Sequence, residues 1–254
     1  MQLWTPWHLK TLLPALAVMV IVAAVLRKVL KKDEKTRMLP IQILTCTLLV
    51  LEVGKQVLSF LKGYDLYHLP FHFCSLFIFV LPVMSFYRGK HRQAVFAIST
   101  ALCASVFLLM LIYPALIYGD WNIQNYFKGY FDFHTVTFHN IVMLVFVLIV
   151  ALDLHIPEAR KDRIPIILFT LCFCAVSATM AHLLKTNYAN YYTCNIAPLE
   201  QLRLTVQGAI GVVPTQLLYI MIVSALNVGF VLMSYELYRL LRYILPGKKQ
   251  QPVS

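Results

Sequence analysis

Charge is what this chain has least of. Only 13% of its 254 residues are Asp, Glu, Lys or Arg, against about 25% in soluble domains. Eleven of these are acidic and glycine occurs only nine times, so there is too little polar surface to cover a soluble globular domain. Cysteine is also sparse. The six thiols, at 46, 74, 103, 172, 174 and 194, fall in or at the ends of apolar blocks except for Cys194, which excludes a secreted disulfide framework. Cys172 and Cys174 lack the redox CxxC spacing and are assigned no chemistry. The spans carry no internal repeat and no glycine-broken pair of the kind many transporters have. No soluble stretch is long enough for a second domain.

What is present is apolar length. Hydrophobic residues make up 60% of the chain and mean hydropathy is +0.72. They come in blocks of about 20, enough to cross roughly 30 Å of hydrocarbon as helix, and only helices satisfy their own backbone in lipid from such blocks. The blocks predict seven spans at about 12–29, 39–61, 70–87, 92–113, 135–154, 164–184 and 215–241. The first is a retained helix, because its basic residues follow the apolar run whereas those of a signal peptide precede it.

The net charge of +11 clusters at the ends of these blocks, which argues against nucleic acid as a partner. With the N-terminus outside, sixteen Lys and Arg fall on inner segments and five on outer ones, leaving Lys55 inside a span. That bias follows the positive-inside rule. The expected fold is therefore all-α: one polytopic membrane domain of seven helices over 1–244, N-terminus outside and C-terminus inside, with a disordered cytoplasmic tail at 245–254. The connections at 119–134 and 185–214 are aromatic, so they are expected along the outer interface.

Within spans, the polar residues are the informative ones. Glu52, Lys55, Gln56 and Ser59 sit at i, i+3, i+4 and i+7, on one helical face. Glu52 and Lys55 can pair, either as part of a site or as a structural ion pair that fixes helix packing. His72, His139 and His182 lie near the outer ends of their spans and His68 and His134 at the rim, so five histidines are expected at one membrane level. His91 and His155 fall inside. In the run His68-Leu-Pro-Phe-His-Phe-Cys-Ser75, a regular helix from Pro70 puts His72 and Ser75 on one face and Cys74 about 200° round. Either His72 or Cys74 then faces the polar stripe, unless the helix start is irregular. His139 can serve as a general base with Asn140 beside it. His182 stands on a small-residue face with Cys174 and Ala178.

The run from His68 to Ser75, then Phe138-His139-Asn140, then Thr186-Asn-Tyr-Ala-Asn-Tyr resembles the YwaF-type bacterial integral membrane family over most of the chain. That family is more distantly similar to eukaryotic membrane acyltransferases that remodel ether phospholipids, and to androgen-induced hydrolases of branched fatty-acid esters. Those relatives are described as using an intramembrane Cys or Thr nucleophile with a His on a later helix. The resemblance implies that His139 is this histidine and that the nucleophile falls in the first motif, at Cys74 or displaced to His72. It also implies a bacterial cytoplasmic membrane.

The expected function is an intramembrane lipid-acyl enzyme, an acyltransferase or esterase, with a Cys/His site near the outer leaflet. Cys74, His139 and His72 would carry the chemistry, and Glu52, Lys55, Gln56, Ser75, Asn140 and His182 would bind or stabilise. Membrane lipids, including an acyl-chain or lysolipid substrate, are the partners; no cofactor or metal is expected. The competing readings are a proton-coupled transporter or small-solute sensor using Glu52, Lys55 and the outer histidines, and a metal site built from those histidines. HxxxH around a proline is weak support for the last.

Overall fold

The structure is a computed structural model that describes residues 4–30 and 33–244; the tail expected at 245–254 lies outside the described residues. The chain is helical throughout, with no strand among the described residues. The helices are α1 (Pro6–Val29), α2 (Glu34–Leu61), α3 (Phe77–Phe86), α4 (Arg92–Ile112), α5 (Asp120–Gln124), α6 (Tyr130–Ala151), α7 (Ala159–Leu184), α8 (Ala197–Ile210) and α9 (Val212–Ile244). Six of them, α1, α2, α4, α6, α7 and α9, are long and apolar enough to cross a membrane.

The expected third span is shorter than the sequence suggested. Its apolar helix covers Phe73–Phe86, about 21 Å at 1.5 Å per residue, and its first turn is 3-10. The connection at 185–214 is not simply loop either, because it contains α8. Helix α9 starts before Pro214, whose missing N–H costs nothing in a first turn, and reaches about 50 Å over 33 residues.

The long helices and α3 alternate in direction. The α1 start meets the 113–120 segment: Thr5 Oγ donates to Asp120 Oδ1 at 2.6 Å, and His8 Nε2 bonds Tyr118 O at 3.0 Å. The opposite end is rich in lysine and arginine, and there α2 begins with a Glu34–Arg92 ion pair onto α4. We call these the aromatic end and the basic end. Helix α4 packs against α3, α6, α7 and α9. Its buried residues are mainly small, Ala97, Ser99, Thr100, Ala101, Cys103, Ala104 and Ser105, which lets neighbouring backbones approach closely. Leu13, Val18, Ile21, Val50, Val53, Leu168, Leu217 and Leu226 are outward-facing and more than half exposed, as a lipid-facing surface requires.

The basic end holds a buried polar knot. Asp162 accepts from Gln93 Nε2 at 3.1 Å, the Glu158 backbone N–H at 2.7 Å and the Tyr235 hydroxyl at 2.7 Å. His155 lies 3.4 Å from the same carboxylate and stacks on Tyr238. The knot ties α4, α7 and α9 together.

Candidate functional site

The segment from Asp65 to Leu76 is unwound at the aromatic end. Asp65 accepts from the Tyr67 N–H at 2.9 Å and closes a 3-10 turn over Leu66–His68. Pro70 then removes a donor and disfavours helix for Leu69. His72 is extended, with φ −80° and ψ 153°. A second 3-10 turn, Phe73–Leu76, leads into α3. This corrects the expected regular helix from Pro70: 100° steps do not relate His72 to Cys74, so neither excludes the other.

Three carbonyls freed by the unwinding are taken up by side chains, and a fourth, Leu66 O, takes a side-chain donor besides the Leu69 N–H. Gln56 Nε2 donates to His68 O at 2.9 Å and Ser177 Oγ to Phe71 O at 2.8 Å. His72 Nε2 donates to Tyr67 O at 3.1 Å, and the Tyr188 hydroxyl donates to Leu66 O. Non-helical backbone at membrane depth persists only when it is satisfied in this way. Ser177 lies seven residues before the end of α7, so Phe71 sits about 10 Å below that helix end. Tyr188 is fully buried and meets both Phe71 and His72 edge-on, at 5.3 and 5.2 Å.

The stripe on α2 is a closed network. Glu52 is buried, with Lys55 Nζ and Gln56 Nε2 each 2.7 Å from Oε1 and His134 Nε2 3.0 Å from Oε2. Gln56 is fully engaged, because its Oε1 also accepts from the Tyr64 hydroxyl at 2.7 Å. Ser59 and His68 Nδ1 are 2.5 Å apart, and burial pushes the His68 imidazole below its ordinary pKa, with the Lys55 charge adding to it. Gly54 makes room for Tyr130, whose hydroxyl reaches Leu51 O at 2.8 Å. Among the described residues Lys55 meets one acceptor, Glu52, with its three donors.

His139 is built differently. It is 7% exposed, and its Nδ1 lies 2.6 Å from Thr135 O, which fixes the proton on Nδ1 because a carbonyl can only accept. Nε2 then carries the lone pair. It is buried and finds no hydrogen-bond partner, and the same is true of the neighbouring Asn140 Oδ1. Cys74 and Ser75 are half-buried at the start of the 3-10 turn. No hydrogen bond joins Cys74 to His139. The α2 stripe reaches both elements: Gln56 and Ser59 bond His68 in the unwound segment, and Glu52 bonds His134 on α6.

The histidines therefore do not form one cluster. His68 and His134 bond the α2 stripe, His72 bonds Tyr67 O and His139 bonds Thr135 O, whereas His182 turns to α9 and contacts Gln216 Nε2 at 3.0 Å. Gln216 in turn donates to Tyr191 O and accepts from Arg203, which is paired with Glu200 on α8. Among the described residues no group of three His, Cys, Asp or Glu side chains is set to hold a metal ion. Tyr188, Ser177, Tyr64 and Tyr130 were not singled out from sequence. Tyr188 carried a signal as the tyrosine of Thr186-Asn-Tyr, and Ser177 stood on the small-residue face with Cys174 and Ala178.

A family model, that of the TMEM164 family, matches residues 3–235. The chain belongs to this family and is a multi-pass integral membrane protein. No curated protein and no solved structure matches it.

Proposed function

We propose that this TMEM164-family protein is an intramembrane lipid-acyl enzyme, an acyltransferase or esterase, with Cys74 as nucleophile and His139 as base. The observation that carries the reading is the His139 ring, held by Thr135 O with a buried, unpartnered Nε2. An imidazole oriented by a third group and left with a free lone pair is ready to take a proton. Catalytic hydrogen bonds are often loose before substrate binds. The resemblance of the first motif to the YwaF-type family, itself distantly similar to lipid acyltransferases, supports the same assignment.

In the first step the Cys74 proton passes to His139 Nε2 and the sulfur attacks an ester carbonyl. The ester C–O bond breaks, His139 returns the proton to the leaving alkoxide, and a thioester remains on Cys74. Water or a lysolipid hydroxyl then attacks the thioester, His139 taking its proton and passing it back to the thiolate. Water gives hydrolysis and the lysolipid gives transfer. Lys55, with donors to spare, stabilises the oxyanion in both steps; Glu52, Gln56 and His134 position it. Asn140 is placed beside the base, Ser75 beside the nucleophile, and His72 braces the unwound segment. With the N-terminus outside, the site lies at outer-leaflet depth, where a lipid ester carbonyl would be.

The test is an alkyne-tagged phospholipid ester offered to the purified protein, with the thioester read as a hydroxylamine-sensitive label. Cys74→Ala abolishes the label and His139→Ala slows its appearance. Labelling unchanged in both variants refutes the assignment. One contact favours a second reading as a proton-coupled transporter or solute binder: Glu52 and His134, at 3.0 Å, can exchange a proton. Uptake lost in Glu52→Gln with cellular lipids unchanged would decide for it.

A further inference from the structure

Three arginines from three helices converge where α6 ends, at the opposite end of the bundle from Cys74. Asp153, just past the helix, adopts a left-handed backbone with φ 54°. Its Oδ1 takes Arg242 Nη1 at 2.7 Å, while Arg27 Nη2 and Arg37 Nη1 lie 3.5 and 3.9 Å from Oδ2. Arg37 also donates to Leu152 O at 2.7 Å and Arg242 to Val150 O at 3.1 Å. Part of their role is thus to cap the negative end of α6 and to hold α1, α2 and α9 on it.

Capping leaves charge over. One carboxylate neutralises one of the three guanidiniums, and the side chains of Arg37 and Arg242 are only 16% and 11% exposed. A surplus positive charge held that close to the interior calls for a further anion. Arg27 is half exposed, and its carboxylate contact at 3.5 Å is longer than a good hydrogen bond, so its fork is free to turn outward. The same helix ends expose Val25, Val29 and Ile244. Apolar surface and basic groups therefore meet at one level, as acyl chains and headgroup do at the edge of a bilayer. Basic pockets between helices at such a face hold anionic headgroups.

We propose that Arg27, Arg37 and Arg242, gathered by Asp153, bind the phosphodiester of an anionic phospholipid at the basic end. Free phosphate offers the same charge without chains, so the experiment separates the two. The full chain is purified in neutral detergent, delipidated, and its thermal unfolding followed with added dioleoyl phosphatidylglycerol, dioleoyl phosphatidylcholine or inorganic phosphate. Phosphatidylglycerol is expected to raise Tm saturably and the other two not to.

Arg27→Gln removes a single long contact, and its lipid-free Tm is expected to match the native chain. It should raise the half-saturating phosphatidylglycerol about fivefold, the ratio equivalent to roughly 1 kcal/mol per basic residue. Arg88→Gln removes an exposed charge outside the cluster and should leave it unchanged. Equal stabilisation by phosphatidylcholine, equal weakening in Arg88→Gln, or a phosphate effect matching that of the lipid would each overturn the proposal. Phosphatidylglycerol copurifying with the chain, counted by mass spectrometry, gives a second readout that should fall in Arg27→Gln.

Discussion

Changing Glu52 to Gln keeps the shape of the α2 network and removes its only anion. Lys55 then remains with 14% of its side chain exposed and no carboxylate at 2.7 Å, and His134 loses its acceptor at 3.0 Å. Stranding one partner of a buried pair costs about 3–5 kcal/mol, because the remaining charge keeps its desolvation penalty without compensation. For a chain of this size each kcal/mol lowers Tm by about 2–4 °C, so a fall of roughly 10 °C is expected. The assay is thermal unfolding in detergent, followed by intrinsic fluorescence, for the native chain, Glu52→Gln, Lys55→Met and the double variant. The double variant has no stranded ammonium, so it should be more stable than Glu52→Gln alone, a coupling that a double-mutant cycle isolates. A Glu52→Gln Tm within about 2 °C of native, or losses that simply add, would refute the claim that this pair is a buried, mutually dependent unit.

Three further outcomes follow from single contacts. A Cβ at Gly54 would stand 2.2 Å from the Tyr130 hydroxyl, so Gly54→Ala should expel it from Leu51 O and cost about 1–3 kcal/mol for the unsatisfied groups, measured by denaturant titration. Ser177→Ala leaves Phe71 O without its donor and should loosen the unwound segment, seen as faster maleimide labelling of Cys74; an unchanged rate would mean the bond does not hold that segment. At the aromatic end, the Arg203 hydrogen bond holds the Glu200 carboxyl below its ordinary value of 4.5. This contribution is present above pH 4.5 and is lost as pH falls through the lower folded value. Proteolysis between Cys194 and Gly211 should therefore accelerate on acidification, and Glu200→Gln should flatten the dependence.

The helical blocks, their alternation and the α2 stripe were all legible, because each rests on a local period or a charge bias that survives folding. Glu52, Lys55 and Gln56 do share a face and do interact. The direction of the histidines around the bundle was not legible, and His182 faces α9 and Gln216 where sequence grouped it with His139. The unwinding of 65–76 escaped because the surrounding apolar pattern continues through it. What keeps it unwound comes from elsewhere: Ser177, Tyr188 and Gln56 are 106, 122 and 12 residues from the carbonyls they satisfy. Helix α8 was hidden by composition, since its leucines and polar residues read equally well as an interfacial connection. The arginines around Asp153 looked like orientation signals, and only packing shows that three helices aim theirs at one carboxylate.

The short third apolar helix, Phe73–Phe86, has a consequence for the membrane itself. Its 21 Å of helix leaves roughly 9 Å of an ordinary 30 Å hydrocarbon layer unmatched on one side of the protein. Lipids next to that side must thin and their headgroups sink toward the unwound segment, while α2 beside it demands full thickness. Such a step in hydrophobic mismatch carries a cost that grows with every added ångström of bilayer. Acyl-chain length and sterol content therefore become variables of this protein's stability.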